Sequence, residues 1–315
     1  MKKHIWISGM LVSLLMACSP SQEQKQTISA GVLKYDSLSI PIDYPYLGFY
    51  YQFDFYREKG NLYWAGYNHL MHSIEVFDLT NRRTIQSYEL EPEGPNAVLK
   101  NQISDFVVND SLFVFRGYRN DVKVLSRKDG TLLKTIVTFS PEDNYKLNYR
   151  GTRDGSYGGL EMRWDEGKIV TPLFTKQTQT MADKLALSVD LTTEKAEILS
   201  LSYPEEMKED LGCYGSLTFP NFNTSEDRWV YNFANSSRVY IYEKETGKVQ
   251  VLDMKSNATP NKAFPVDSNL KERNLRKSAE YESTTLRFGS VYYDETADVY
   301  VRMHHAGKEK IKDKR

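Results

Sequence analysis

The sharpest chemical candidate in this sequence is a loop, Glu91-Pro-Glu-Gly-Pro-Asn96. Gly94 and Pro95 build a tight turn there, and the turn presents the carboxylate of Glu93 and the amide of Asn96 together. Those groups suit ligand binding at a cavity mouth. The competing role is structural, with Asn96 capping the loop and Glu93 solvated, and turn chemistry favours it. A second stretch sets Tyr145, Tyr149 and Tyr157 beside Arg150 and Arg153. Tyr149, Arg150 and Arg153 suit a sugar or an acidic peptide, held by stacking and charge. The plainer reading is an ordinary surface loop.

Other groups carry less chemistry. His69 and His72 are close enough for a metal pair, but no third ligand stands at a convincing spacing, so they read as a solvated rim and no metal or cofactor is expected. His304 and His305 are adjacent and face opposite sides of a strand, which argues against shared coordination. Gly155-Ser-Tyr-Gly-Gly159 is not a nucleophile elbow, and no Gly-x-x-x-x-Gly-Lys phosphate loop occurs. Asp165 and Glu166 fall in a hairpin turn, a poor place for paired acids of a glycosidase. Catalysis therefore has little support.

The first residues form a targeting segment. Lys2 and Lys3 precede an apolar run, Ile5 to Met16, too short to span a bilayer comfortably, and the run ends in Leu15-Met-Ala-Cys18. That ending resembles the bacterial lipobox, which implies cleavage after residue 17 and a lipid, such as palmitate, on Cys18. Residues 18–30 then read as a polar tether. The only other cysteine, Cys213, reads as a small buried hydrophobe. The chain has 315 residues, 41 basic against 42 acidic, a net charge of −1. Without Lys2 and Lys3 the balance is 39 against 42, or −3. Such a balance argues against a nucleic-acid partner, and the one basic run is Lys308–Arg315.

The elements that must position these residues are short strands. Asn61–Asn96 reads as three strands and an exit loop, and weaker copies follow. The second runs from Ile103 to Val137, the third from Gly158 to Leu201, the fourth through Arg228–Phe233, Arg238–Tyr242 and Lys248–Leu252, and a fifth spans Thr285–Arg302 before fading. The innermost strand of the fourth falls near Tyr214–Phe219. The outer hairpins repeat most clearly, as in Phe77-Asp-Leu-Thr80 and Val189-Asp-Leu-Thr192. Pro204–Leu211 is the single helical candidate outside the targeting segment. Twenty-two tyrosines suit half-buried strands whose hydroxyls reach water. A small sheet cannot bury both faces alone, so repeated sheets predict an all-β, β-propeller fold of four-stranded antiparallel blades. A two-sheet sandwich is the alternative.

The run Leu62-Tyr63, Ser73-Ile74, Val76-Phe-Asp-Leu79 and Glu93-Gly-Pro-Asn-Ala-Val98 resembles an uncharacterised family of Gram-negative lipoproteins with a six-bladed, TolB-like propeller. The resemblance runs from Cys18 to about Tyr300. It implies a fold and an outer-membrane location at the cell envelope, and no activity. Members of that family are usually longer, so the C-terminus reads as incomplete, with the propeller domain over residues 31–303 and a basic tail over 304–315. It also implies that the strand Val32–Ile42 helps close the ring.

In an up-and-down blade the loop between the second and third strands lies on the same side as the loop leaving the fourth. That places Asn68–His72, Gly117–Asn120, Thr175–Asp183 and Ala234–Ser237 on one rim with Glu91–Asn101, Ser140–Gly155, Ser202–Gly212 and Asp253–Glu282. These are the long connections, where binding usually resides. The sequence thus predicts a lipid-anchored binding or scaffolding module with a protein or glycan ligand on this face. An envelope enzyme acting on glycan or peptide is the alternative, and it requires at least two titratable groups to converge.

Overall fold

Phe53–Glu58 and Asn61–Asn68 zip together through a two-residue turn at Lys59-Gly60, where both residues have positive φ, 50° and 83°. This mirror-image turn matches the right-handed twist of the flanking strands, and glycine supplies one of its two positions without steric cost. In the computed structural model these strands, β1 (Phe53–Glu58) and β2 (Asn61–Asn68), continue into β3 (Ser73–Asp78) and β4 (Arg83–Glu89). Their order is β1-β2-β3-β4, antiparallel throughout. The fourth strand needed to complete the opening three is therefore the aromatic β1. All six residues of β3 are buried, whereas β4 is mostly exposed.

The structure describes residues 37–41, 50, 52–100, 103–109, 111–117, 120–139, 145–147, 162–175, 181–208, 217, 220–225, 227–257, 259–264, 281, 284–294 and 297–307. The chain divides into Met1–Leu38, of which only the exposed Ser37 and Leu38 are described, and one compact unit, Ser39–Arg315.

Within that unit the pattern of the first sheet recurs. The second sheet is β5 (Ile103–Val108), β6 (Leu112–Gly117), β7 (Asp121–Ser126) and β8 (Leu132–Val137) in sequential order. In the third, β9 (Tyr145–Leu147) joins the order β10 (Arg163–Asp165), β11 (Lys168–Thr175), β12 (Met181–Asp190), β13 (Ala196–Ile198) by pairing with β11. A single helical turn, α1 (Glu205–Lys208), precedes the fourth sheet, β14 (Pro220–Thr224), β15 (Arg228–Phe233), β16 (Arg238–Glu243) and β17 (Val249–Asp253). Last comes a two-stranded sheet, β18 (Arg287–Asp294) with β19 (Val299–His305).

Several expectations change, among them the Thr175–Asp183 loop, whose ends lie in β11 and β12. The innermost strand of the fourth sheet is β14, C-terminal to Tyr214–Phe219. Its sequence Pro-Asn-Phe-Asn-Thr is poor in strand formers, and proline is tolerated at a strand's first residue. The Ser140–Gly155 connection is not all loop, because β9 lies within it. The last strand runs past Arg302 to include His304 and His305. The described residues hold five sheets against the six blades expected.

The sheets stack in chain order, each offering alternate residues to the neighbour on either side. Phe106 packs with Ile74 and Phe113 between the first and second sheets, while Val107 packs with Val122 and Leu187 between the second and third. Phe222 and Tyr231 pack with Val170 between the third and fourth; Val230 and Val239 pack with Val291 between the fourth and fifth. A two-sheet sandwich has one inner face per sheet, so this two-sided burial rules it out. The first strands touch one another, β1 on β5, β10 on β14 and β14 on β18, as the inner strands of a β-propeller-like fold do.

Polar side chains on those inner strands stitch sheet to sheet. Asp54 accepts the Phe55 N–H at 2.8 Å with one oxygen and the Val108 N–H of the second sheet at 3.0 Å with the other. Asp105 accepts its own neighbour Phe106 N–H at 2.8 Å and the Met162 N–H next to the third sheet. Asn223 accepts Thr224 N–H at 3.0 Å and donates to the Val291 carbonyl of the fifth sheet at 3.1 Å. The same short Asx side chain thus satisfies two backbone groups that neither sheet could pair internally.

Candidate functional site

Two kinds of loop meet on one rim, and hydrogen bonds join them in three sheets. In the first, Leu90 N–H donates to the His72 carbonyl at 2.9 Å, and Lys100 Nζ reaches the Leu70 carbonyl at 2.9 Å. In the second, Thr138 N–H donates to the Asn120 carbonyl at 2.9 Å and Leu147 N–H to Asn120 Oδ1 at 2.9 Å. In the fourth, Ser237 N–H donates to the Asn261 carbonyl at 2.9 Å, and Ala263 N–H to the Asn235 carbonyl at 2.8 Å. In these three sheets the inner loop is thereby fixed to the long connection leaving the same sheet.

At the first sheet the rim carries Glu93 and Asn96, both exposed, on a turn closed by the Ala97 N–H to Gly94 carbonyl bond of 3.2 Å. Gly94 has φ of 99°, a conformation that side chains resist. Beneath this loop is a polar cluster. Glu75 is buried and accepts from Asn68 Nδ2 at 2.7 Å and from the Tyr50 hydroxyl. Asn68 Oδ1 in turn accepts the Leu70 and Met71 N–H groups, each at 3.1 Å, shaping the inner loop. His72, expected on a solvated rim, is instead 5% exposed with φ of 56°. Its Nδ1 lies 2.7 Å from the Tyr67 hydroxyl, under the backbone of Glu91 and Val98. Burial holds its imidazole below the usual histidine range and pushes the Tyr67 phenol well up. His69 is half-buried, and His72 is committed to Tyr67. Among the described residues no three His, Cys, Asp or Glu side chains gather as metal ligands.

At the fourth sheet the rim opens into a cleft of about 610 Å³. The Ala234–Ser237 loop forms one wall, and the segment from Asp253 to Phe264 the other. Met207 and Tyr240, both buried, form its floor. Arg238, Lys255 and Lys262 bring three cations to the lining against one carboxylate, Asp253. Asp253 is bonded to Lys255 Nζ at 2.8 Å and to the Ser237 hydroxyl at 2.9 Å, and these partners hold its carboxyl below the usual range. Arg302 braces the wall from the fifth sheet, donating to the Ser237 and Met254 carbonyls at 3.1 and 2.8 Å from above the Phe288 ring. Burial pulls its guanidinium down to about 10, still charged at neutral pH. Phe264 stands at the lip, 75% exposed.

Cys18, Cys213, Tyr149, Arg150 and Arg153 lie outside the described residues. The structure brings Glu93 and Asn96 onto the rim and leaves them on its solvent side. The cleft was not singled out from the sequence, because its charges are spread from Arg238 to Lys262 without a motif. The available hint was topological, since both walls belong to connections placed on one rim.

No curated protein matches the chain. Among solved structures, a crystal structure from Bacteroides vulgatus ATCC 8482, described as a member of the DUF4221 family, is similar with a TM-score of 0.71 and 16% identity. The likeness covers 90% of this chain and 78% of that one. The Cps50 (Swd1) β-propeller domain of Myceliophteria thermophila aligns with a TM-score of 0.41 and 10% identity, over 80% of this chain and 61% of that one. The family model "Domain of unknown function (DUF4221)" matches residues 32–315, so the chain belongs to the DUF4221 family.

Proposed function

We propose that this chain is a binding or scaffolding module of the cell envelope, anchored in the outer membrane through lipid on Cys18, with a protein or glycan ligand on its long-loop rim. The proposal takes the full ring to be of the six-bladed type that the resemblance implies. One observation carries it: inner loops and exit connections are hydrogen-bonded together on the same side of their sheet in three separate sheets, which holds these loops in place. Rigid scaffolds that gather their longest loops on one side bind there. A module of this kind needs shape and donors rather than paired titratable groups, and Glu93 stands exposed to solvent on that rim.

Two measurements test this reading. Cys18→Ser is expected to move the protein from the membrane pellet to the soluble fraction and to abolish labelling by radioactive palmitate. Photo-crosslinkers placed on the rim, at Met71 and Phe264, are expected to capture a common envelope species. The same groups on the opposite turns, at Arg82 and Lys128, are expected to capture none. Equal capture from both sides would sink the rim as the binding face.

A further inference from the structure

The fourth and fifth sheets meet across a set of asparagine side chains. Asn221 of β14 and Asn232 of β15 are direct partners in the strand register. Asn221 shares its side of β14 with Asn223, two residues on, whose Nδ2 donates to the Val291 carbonyl of β18 at 3.1 Å. Asn232 Nδ2 donates to the Gly289 carbonyl of β18 at 3.0 Å. Both amides therefore face the fifth sheet. They are buried, Asn221 at 1% exposure and Asn232 at 0%. Yet Asn221 Oδ1, Asn221 Nδ2 and Asn232 Oδ1 have no hydrogen-bond partner within the protein. We propose that this inter-sheet space is a binding site for internal water, about one or two molecules held by the Asn221 and Asn232 amides against β18. The site stands whether or not the rim takes a ligand.

Donors and acceptors choose the ligand. The two Oδ1 atoms call for donors, and Asn221 Nδ2 calls for an acceptor. Water supplies both, and a buried water typically makes about three hydrogen bonds to groups that the protein leaves unpaired. A cation would suit the two oxygens but would meet the amide hydrogens of Asn221 beside them. Amide orientation does not alter this count. Turning the Asn221 amide over exchanges two atoms that are both unpaired, and turning Asn232 over would break its bond to Gly289. The facing strand adds little bulk. The β18–β19 register shifts between Phe288 and Val291, and the two residues within that irregularity are Gly289 and Ser290. Three direct bonds set the spacing of the sheets here, from Asn223, from Asn232, and from the Phe288 N–H to the Ala234 carbonyl at 2.8 Å. With that spacing fixed, an inserted molecule satisfies the amides where closer approach of the sheets does not, and burying them unpaired would be costly.

Water–protein nuclear Overhauser spectra and oxygen-17 relaxation dispersion on the full chain in detergent test this. The Asn221 side-chain NH2 is expected to show a cross-peak to water, with the sign of a long-lived contact rather than of a surface encounter. Asn221→Leu keeps a similar size and removes both unpaired atoms, and it is expected to lower the number of long-lived waters by about one or two. No long-lived cross-peak in the unaltered chain, or an unchanged number of waters in the variant, would overturn the proposal. Should Asn221→Leu fail to fold, the cross-peak in the unaltered chain decides alone. Melting temperatures in sodium, potassium and choline chloride at equal ionic strength separate water from a cation. No difference is expected; a rise with sodium or potassium that Asn221→Leu abolishes would mean a bound cation, and the water site would fall. None of these readouts involves the rim crosslinkers, so the binding reading and this one can fail separately.

Discussion

At the residue scale, burial decides what each polar group is for. His72 was placed in the sequence beside His69 as a rim residue, and its chemistry follows instead from lying under the Glu91–Val98 backbone. Its folded pKa is lowered below the ordinary 6.5, so the unfolded chain binds the proton more readily. The contribution to stability is therefore full above that ordinary value and is lost as pH falls below it. We expect urea denaturation to show stability falling on acidification below about pH 6.5, and falling less in His72→Asn, since asparagine tolerates a φ of 56°. Parallel pH profiles for the two proteins would refute this. Asp105 is the second case. It lies 3.7 Å from the fully buried Arg116, which also bonds Ser104 Oγ at 3.0 Å and Thr171 Oγ1 at 2.7 Å. Asp105→Ala removes a carboxylate partner of both Arg116 and the Met162 N–H, so a loss of about 3 kcal/mol is expected in denaturant titration.

At the element scale, the hairpins carry most of the local information. Asp78 and Asp190 each open an outer turn, accepting N–H groups two or three residues on. Asp78 takes Asn81 at 2.9 Å, and Asp190 takes Thr192 and Thr193 at 2.8 and 2.9 Å. That is why the Asp-Leu-Thr repeat is visible in the chain. The turn between β10 and β11 is less well served. Glu166 holds φ of 49° before Gly167 at 82°, a mirror-image turn that prefers asparagine in the first place. Glu166→Asn is expected to stabilise the protein by about 0.5–1 kcal/mol, read as a raised melting temperature.

At the scale of the whole compact unit, sheets hold their neighbours through a few inner-strand amides and carboxylates. The fifth sheet depends on the fourth in this way: Asn223 donates to Val291, Asn232 Nδ2 donates to the Gly289 carbonyl at 3.0 Å, and Phe288 N–H to the Ala234 carbonyl at 2.8 Å. Replacing Asn223 and Asn232 together by alanine is expected to speed amide exchange selectively in β18 and β19, while exchange in the first two sheets stays slow. Uniform acceleration across all five sheets would show one cooperative unit instead. Because Arg302 of β19 braces the cleft wall, the same double variant is also expected to weaken any ligand held there.

Strand alternation, turn residues and the Asp-Leu-Thr hairpins were enough to place most strands within a few residues, and to show which connections are long. These are local preferences of backbone and side chain, written over four to eight residues at a time. Glu93 and Asn96 were legible for the same reason, since Gly-Pro shapes their turn whatever surrounds it. What lies deep or between sheets was not legible. β14 mixes Phe222 and Thr224 with a proline and two asparagines, which disfavour strands, and Phe222 enters the core while Asn223 binds a neighbouring backbone. His72 is buried because a loop twenty residues on folds over it. Arg238, Lys255, Lys262 and Phe264 share a cleft only because two connections are hydrogen-bonded across the rim. Proximity of that kind comes from the stacking of sheets, which no single stretch of sequence encodes.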